Sequence, residues 1–344
     1  MRWNDLYVSG LGAHLPEREQ TAEQAVAAGL YDAGRAEANG IRAVRVAGPD
    51  EPGPVMAAAA GRQAVARSRL DHDLFDLVLH GSMGHQGQDF WTPAHYVQGE
   101  TVGGHGLAAE VRQGANSGLA AVELAASHLG SRPGATAALV TTGDAFALPY
   151  VDRWASDDQT VYGDGAGAMV LSSRPGFARV RSTASLSEPS LEPAYRGTRW
   201  TASPCESGGP ADLSGRKQAW FTRHEGAYQE ALELIGRRFG QVLERALDDA
   251  GTKLSRTQWF VHANVSEQIA EWGFYRPLGL DRARTTYDWG LDFGHMGGGD
   301  HIIGLNHLFE SGRPRPGDLV VTVGVGPGFL WTAMVLEVLR APAW

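Results

Sequence analysis

Short apolar runs closed by glycine alternate along this chain with longer stretches in which apolar residues recur every three or four positions. The first pattern predicts buried strands and the second predicts helices. Residues 6–12 read as a strand ending in a glycine turn, 21–38 as a helix and 41–46 as a short strand. A helix over 54–69 opens on Pro54, where a missing N–H costs nothing. Residues 75–82 form a buried strand and 93–102 a short helix. A strand-like run then ends at Arg112, and an elbow of small residues follows, Gly114-Ala115-Asn116-Ser117-Gly118. After it come an alanine-rich helix, a strand over 137–141 and an apolar run over 163–171. Residues 183–222 are polar, aromatic and rich in Gly and Pro, and read as an elaborated connection with surface loops. The helix 227–250 carries Leu232, Ile235, Phe239, Val242 and Leu243 on one face. Strands over 259–264, 319–323 and 332–339 complete an alternation that predicts an α/β fold.

The second half of the chain repeats the first. Ser127-His128-Leu129 and Asn306-His307-Leu308 each lie in a helix followed by a Gly/Arg/Pro turn and a strand. Setting His128 on His307 gives an offset of 179 (307 − 128), which places Asn116 on His295. Both residues then follow a glycine at the predicted start of a helix. The strand 75–82 likewise matches 259–266. The expected division is therefore an N-terminal half, 1–175, carrying the elbow, and a C-terminal half, 176–344, carrying His295 and Asp300.

Composition narrows the function. With 344 residues, 43% of them hydrophobic, the chain can bury a large core. A net charge of −9 without a basic stripe argues against nucleic acid or an anionic membrane as partner. Cys205 is the only cysteine, so the expected compartment is the reducing cytoplasm. There is no basic leader followed by an apolar run, and no apolar stretch of membrane-spanning length. His and Cys are not clustered with metal-ligand spacing, so no metal is expected.

Four motifs carry a resemblance that covers essentially the whole chain. They are Gly114-Ala115-Asn116-Ser117-Gly118, Tyr162-Gly163-Asp164-Gly165-Ala166-Gly167-Ala168, Phe293-Gly294-His295 and Gly324-Val325-Gly326-Pro327-Gly328-Phe329. Together they resemble the β-ketoacyl-ACP synthase III branch of the thiolase superfamily. The resemblance implies two duplicated βαβαβ halves in a five-layer αβαβα arrangement, a homodimer, and an acyl-CoA or acyl-carrier-protein thioester as substrate, with no resident cofactor. Those synthases carry Cys at the elbow, where this chain has Asn116. They carry Asn where it has His295, with Asp300 five residues on. Val261-His262-Ala263-Asn264 shifts their His-x-x-Asn motif by one place, and the position of their second oxyanion amide falls on Pro327, which has no N–H. The flanking glycines, Gly326 and Gly328, remain as backbone candidates. The His/Asp set is more similar to synthase-III-like acyltransferases of antibiotic tailoring, which acylate a sugar of a polyketide glycoside. The implied reaction moves a small, malonyl-type acyl group to a hydroxyl, with Asn116 in the seat of a lost or replaced cysteine.

The chemistry fits that implication. A thiolate at a helix start is stabilised by unpaired N–H groups, and a neighbouring His can take the proton and then activate the acceptor. A carboxylate behind the His fixes its tautomer and favours removing a proton from a hydroxyl, whereas a condensation needs neutral donors for its enolate. Each candidate also has a plainer reading. Asn116 is a preferred helix N-cap, and Ser117 is either a substitute nucleophile or a helix-start residue. His295 and Asp300 could form a purely structural pair, His262 a satisfied core histidine and Asn264 turn chemistry. Cys205, in a polar loop, reads as inert, and Gly163–Gly167 as tight packing. Trp200, Trp220 and Phe221 either line an acceptor pocket or cover surface.

Overall fold

The structure, a computed structural model, describes residues 1–198, 200 and 208–344. Cys205 and its neighbours lie outside the described residues. Eleven strands are described: β1 (Tyr7–His14), β2 (Glu19–Thr21), β3 (Ala43–Arg45), β4 (Phe75–Gly81), β5 (Leu107–Val111), β6 (Ala137–Asp144), β7 (Gly165–Ser172), β8 (Ala178–Ser187), β9 (Trp259–Val261), β10 (Leu319–Gly326) and β11 (Leu330–Val338). Nine of them hydrogen-bond in the order β5-β4-β6-β7-β1-β8-β11-β10-β9. Leaving β5 aside, that order is palindromic. Reading inward from each end, one parallel pair (β4–β6, β9–β10) is followed by two antiparallel pairs (β6–β7 and β7–β1; β10–β11 and β11–β8). The two sets meet only where Tyr7 and Val8 pair with Arg179 and Ala178.

Helices fill the space between and outside these sets. The elbow helix, Ser117–Ser131, touches strands of both sets, as does its counterpart, Asp300–Glu310. They are buried between the sheets through Leu119, Val122, Ile302, Leu305 and Leu308. Helix Gly53–Ser68 covers one outer face against β1, β6 and β7, and helix Ala227–Asp249 covers the other against β8 and β11. The result is the five-layer αβαβα arrangement of the thiolase fold. No helix among the described residues is long and apolar enough to cross a membrane.

Three predicted elements differ. The helix expected over 21–38 is two helices, Ala22–Ala27 and Ala33–Asn39. Asp32 starts the second by accepting the Arg35 N–H at 2.8 Å, and a side-chain cap of this kind outcompetes continuation of the first. The stretch read as loops contains the second half of β8 and two helices, Pro193–Arg196 and Leu213–Phe221. In this part of β8 the buried residues are Thr183 and Ala184, with Ser182 just before them, and they lack the apolar signal of an interior strand. The strand expected over 259–264 stops at Val261, because the residues beyond it turn toward the counterpart helix.

The repeat is imperfect at one informative place. The two inner helices end at positions 179 apart (310 − 131) but begin 183 apart (300 − 117). One helical turn is missing from the second, and the 3-10 turn Gly297–Gly299 stands in its place.

Asp164, from the Gly-Asp-Gly-Ala-Gly-Ala run, is a structural anchor. It is almost fully buried, pairs with the Arg153 guanidinium at 2.9 Å, and accepts the Ala47 and Phe146 N–H groups. Replacing it by Ala strands a buried guanidinium, so Asp164→Ala is expected to cost about 3–5 kcal/mol. Urea unfolding measures this, and a cost under about 1 kcal/mol, typical of an exposed pair, would contradict the assignment.

Candidate active site

The elbow lies between the end of β5 and the elbow helix. Gly114 takes φ +54°, and a Cβ there would sit 2.2 Å from the Pro327 ring, so only glycine permits this approach. A single 3-10 turn, Gly114–Asn116, delivers the chain into the helix. The Asn116 side chain makes no capping bond, which removes the helix-cap reading. It is fully buried, and its Nδ2 donates to Thr332 Oγ1 at 2.9 Å. Asn116 Oδ1 is buried without a partner. The Ser117 hydroxyl is equally buried and bonded to backbone, donating to Ser82 O and Gly114 O and accepting from Gln113 N. It ties the elbow to the end of β4.

His295 sits outside its helix, on the loop before the glycine turn. Its N–H donates to Val161 O at 2.8 Å and its carbonyl accepts from Gly163 N at 3.1 Å, so the 161–163 segment clamps its backbone. Its Nδ1 hydrogen-bonds Asp300 Oδ2. Asp300 opens the counterpart helix and accepts Met296 N at 2.7 Å and Asn264 N at 2.8 Å. A pair five residues apart cannot meet on a continuous helix. The glycine turn brings them together, and Gly297, at φ +60°, packs where a Cβ would lie 2.1 Å from Asp144 Oδ2. Asn264 Nδ2 also holds Gly294 O at 2.9 Å, so Asn264 braces both partners of the pair.

The electrostatics separate three buried histidines. Burial opposes the charge on His295, but the attraction and hydrogen bond of Asp300 outweigh it, with more distant help from Asp144 and Asp157, and the imidazolium is favoured. His262 and His301 have no carboxylate partner, and burial lowers both to about 4. His262 stacks on Phe274 at 4.3 Å and bonds Tyr275 Oη and Ala263 O, inside the aromatic core of the C-terminal strands. His295 instead lines a cleft with Ala115 of the elbow, Asp157, Tyr162, Tyr195 and Pro327. Gly326 lies on the same wall, and Gly328 holds φ +137° beyond it. Trp220 and Phe221 pack on the core, and Trp200 is exposed beneath the Arg196 guanidinium, so none of the three is on this wall. Among the described residues, no group of three or more His, Cys, Asp or Glu could hold a metal.

Residues 247–338 match the C-terminal family of 3-oxoacyl-[acyl-carrier-protein (ACP)] synthase III. The β-ketoacyl-[acyl-carrier-protein] synthase III of Sinorhizobium medicae is 26% identical, covering 96% of this chain and 98% of that protein. The solved structure of the acyltransferase ChlB3 superposes with a TM-score of 0.93 at 36% identity, over 99% of this chain and 100% of ChlB3. The chain belongs to the synthase III-like family of the thiolase superfamily. The synthase III structure from Aquifex aeolicus shares the fold, with a TM-score of 0.78 at 19% identity over 96% of this chain and 99% of its own. Relatives in this family are synthases and acyltransferases, and in this chain a cleft beside the elbow is lined by His295.

Sequence reasoning missed two residues of this synthase III-like site. Asp144, at the end of β6, accepts Met83 N and Gly84 N with one oxygen and Gly298 N with the other. Burial pushes its carboxyl up to about 6 despite those three donors. A polar residue closing an all-buried strand is the one signal that could have exposed it. His301 follows Asp300 directly, and its Nε2 bonds Val323 O.

The His295 pKa is raised, so the imidazolium persists above pH 6.5 and the base form appears only as pH rises through the higher value. Its favourable contribution to stability is full below pH 6.5 and fades over the same rise. Asp300→Asn removes the opposing charge and leaves burial to dominate. In that variant the His295 ring should titrate below pH 6.5 by NMR, and an unmoved titration would show that Asp300 is not what holds the proton.

Proposed function

We propose that this chain has the site of an O-acyltransferase, moving a small acyl group of malonyl type from a CoA or carrier-protein thioester to a hydroxyl of a glycosylated natural product. The observation that carries the reading is His295, backed by Asp300, on a cleft wall beside the elbow. A carboxylate behind the imidazole raises its basicity and fixes Nε2 as the atom that takes the acceptor proton. The same carboxylate would oppose the enolate of a decarboxylating condensation, which neutral donors favour. Position 116 is the acyl-bearing seat, and its carboxamide cannot carry an acyl group as a thiolate does. This form of the chain is therefore expected to bind donor or acceptor without covalent turnover. The reaction calls for no resident cofactor.

The partner expected from the family is a second copy. β5 forms the free edge of the nine-stranded set, with Leu107 57% exposed, and Leu124 on the adjacent elbow helix is 53% exposed. An open strand edge beside exposed leucines is a ready pairing surface. Leu107→Arg together with Leu124→Asp should convert a dimer to a monomer by light scattering, and a mass unaffected by the change would place the interface elsewhere.

The acyl-transfer reading is tested by intact mass after incubation with malonyl-CoA, on this chain and on Asn116→Cys. Only the Cys form should gain the whole malonyl mass. An adduct lacking CO₂ would favour condensation, and no adduct on either would favour a binding protein.

A further inference from the structure

The cleft that holds His295 carries three polar groups that proton transfer at His295 does not use: Asp157, Tyr162 and Tyr195. Asp157 is 3% exposed. Lys217 Nζ reaches both of its oxygens, at 2.8 and 2.9 Å, and Gln159 N donates to Oδ1 at 2.9 Å. Lys217 comes from helix Leu213–Phe221, which docks on the Asp157 segment through two bonds. Leu213 N donates to Ser156 O at 2.9 Å, and Asp158 N donates to Ser214 Oγ at 2.7 Å. Asp157 lies on the cleft wall and Lys217 does not, so the ammonium stands one layer back.

Two phenols complete the group. Tyr162 is 2% exposed, its ring lies 5.8 Å from the His295 imidazole, and its Oη has no hydrogen-bond partner among the described residues. Tyr195, on helix Pro193–Arg196, packs edge-on against Phe329 of the same wall at 5.6 Å, and its Oη is also without a partner among the described residues. Burial raises the pKa of both phenols, so both keep their protons at neutral pH. Asp157 and Tyr195 add to the rise at Tyr162, so the three groups share one neighbourhood. Asp157 is also near enough to His295 to favour its imidazolium.

A buried phenol without a partner is unfavourable unless something else completes it. The carboxylate can only accept, whereas each phenol can donate once and also accept. Lys217 already balances the charge of Asp157, so no spare charge is left to attract an ammonium or a carboxylate. A hydroxyl suits both kinds of group, donating to Asp157 and accepting from a phenol.

We propose that Asp157, Tyr162 and Tyr195 form the subsite that holds the acceptor's neutral sugar ring by its unreacting hydroxyls. Lys217 is the positioning residue that fixes Asp157. The inference rests on the cleft being the acceptor site of an O-acyltransferase. The ring is held by two or more hydroxyls while a further hydroxyl is presented to His295, which takes its proton.

The test uses this chain as it stands, with Asn116, and needs no acyl donor. Saturation-transfer NMR is recorded with methyl α-D-glucopyranoside, methyl α-D-galactopyranoside and methyl α-D-mannopyranoside, and with tetrahydropyran-4-ol, which keeps the ring and a single hydroxyl. At least one pyranoside should receive saturation, and tetrahydropyran-4-ol should not. Tyr162→Phe and Tyr195→Phe remove hydroxyls that the fold does not use. Each should keep the melting temperature and weaken pyranoside binding by about fivefold, the worth of one neutral hydrogen bond. Asp157→Asn combined with Lys217→Met removes both charges together and should weaken binding by about tenfold, as loss of a charge-assisted bond does. Saturation of none of the three pyranosides would overturn the subsite, and so would binding unmoved in all three variants. Malonate ion bound in place of the pyranosides, and weakened by the same Tyr→Phe changes, would give the group to the acyl chain and overturn it as well. If the pyranosides behave as expected but Asn116→Cys takes no acyl group from malonyl-CoA, the subsite stands and the acyl-transfer reading falls.

Discussion

The site depends on a carboxylate held fully inside the protein. Asp300 accepts from His295 Nδ1, Met296 N and Asn264 N, and it occupies the first turn of a helix whose free amides favour a negative charge. A buried carboxylate is tolerated only when its lone pairs are filled in this way. The donors come from the residues after β9 and from adjacent positions of the loop before the glycine turn, and the acceptor from the counterpart helix. Satisfying one charge therefore fixes three segments of the C-terminal half against each other, and the orientation of the His295 ring follows.

The charge could not be placed there on a regular helix. The missing helical turn that distinguishes the counterpart helix from the elbow helix is what folds Asp300 back onto His295. Asp144 holds the glycine turn from the other half of the molecule through Gly298 N, so the geometry of the pair relies on both strand sets. Asp164 does similar work one layer away. It anchors the loops on either side of the 161–163 segment that clamps the His295 backbone. The geometry of the His295–Asp300 pair is thus set by buried acids, Asp300 directly and Asp144 through the glycine turn.

Much of this was legible in the chain. The glycine-bounded apolar runs marked β4, β6 and β7, because interior strands must be apolar and tight turns need glycine. The 179-residue offset aligned the ends of the two inner helices but not their starts, so Asn116 directly precedes its helix while His295 lies five residues before the counterpart helix. The contact of His295 with Asp300 was visible because the intervening glycines rule out a rigid helix. The second half of β8 was hidden because its buried residues there are Ser182, Thr183 and Ala184, which pattern reading treats as polar loop. Asp144 was hidden for a different reason. Its bond with Gly298 joins the two halves, and no local spacing encodes such a contact.

Asn116 belongs to that second class. Read along the chain, it is an ordinary N-cap, yet its amide turns away from the helix it precedes and donates to Thr332. A cap needs an acceptor oxygen aimed at backbone N–H groups, whereas this seat demands a donor aimed at a hydroxyl. The Oδ1 half of the carboxamide has no partner among the described residues. A buried acceptor without a partner is unfavourable, by about 1–3 kcal/mol in proteins generally, and a thiol would present one donor with no such oxygen. Asn116 is therefore held by its donor half alone, through Thr332, and its oxygen has no partner among the described residues.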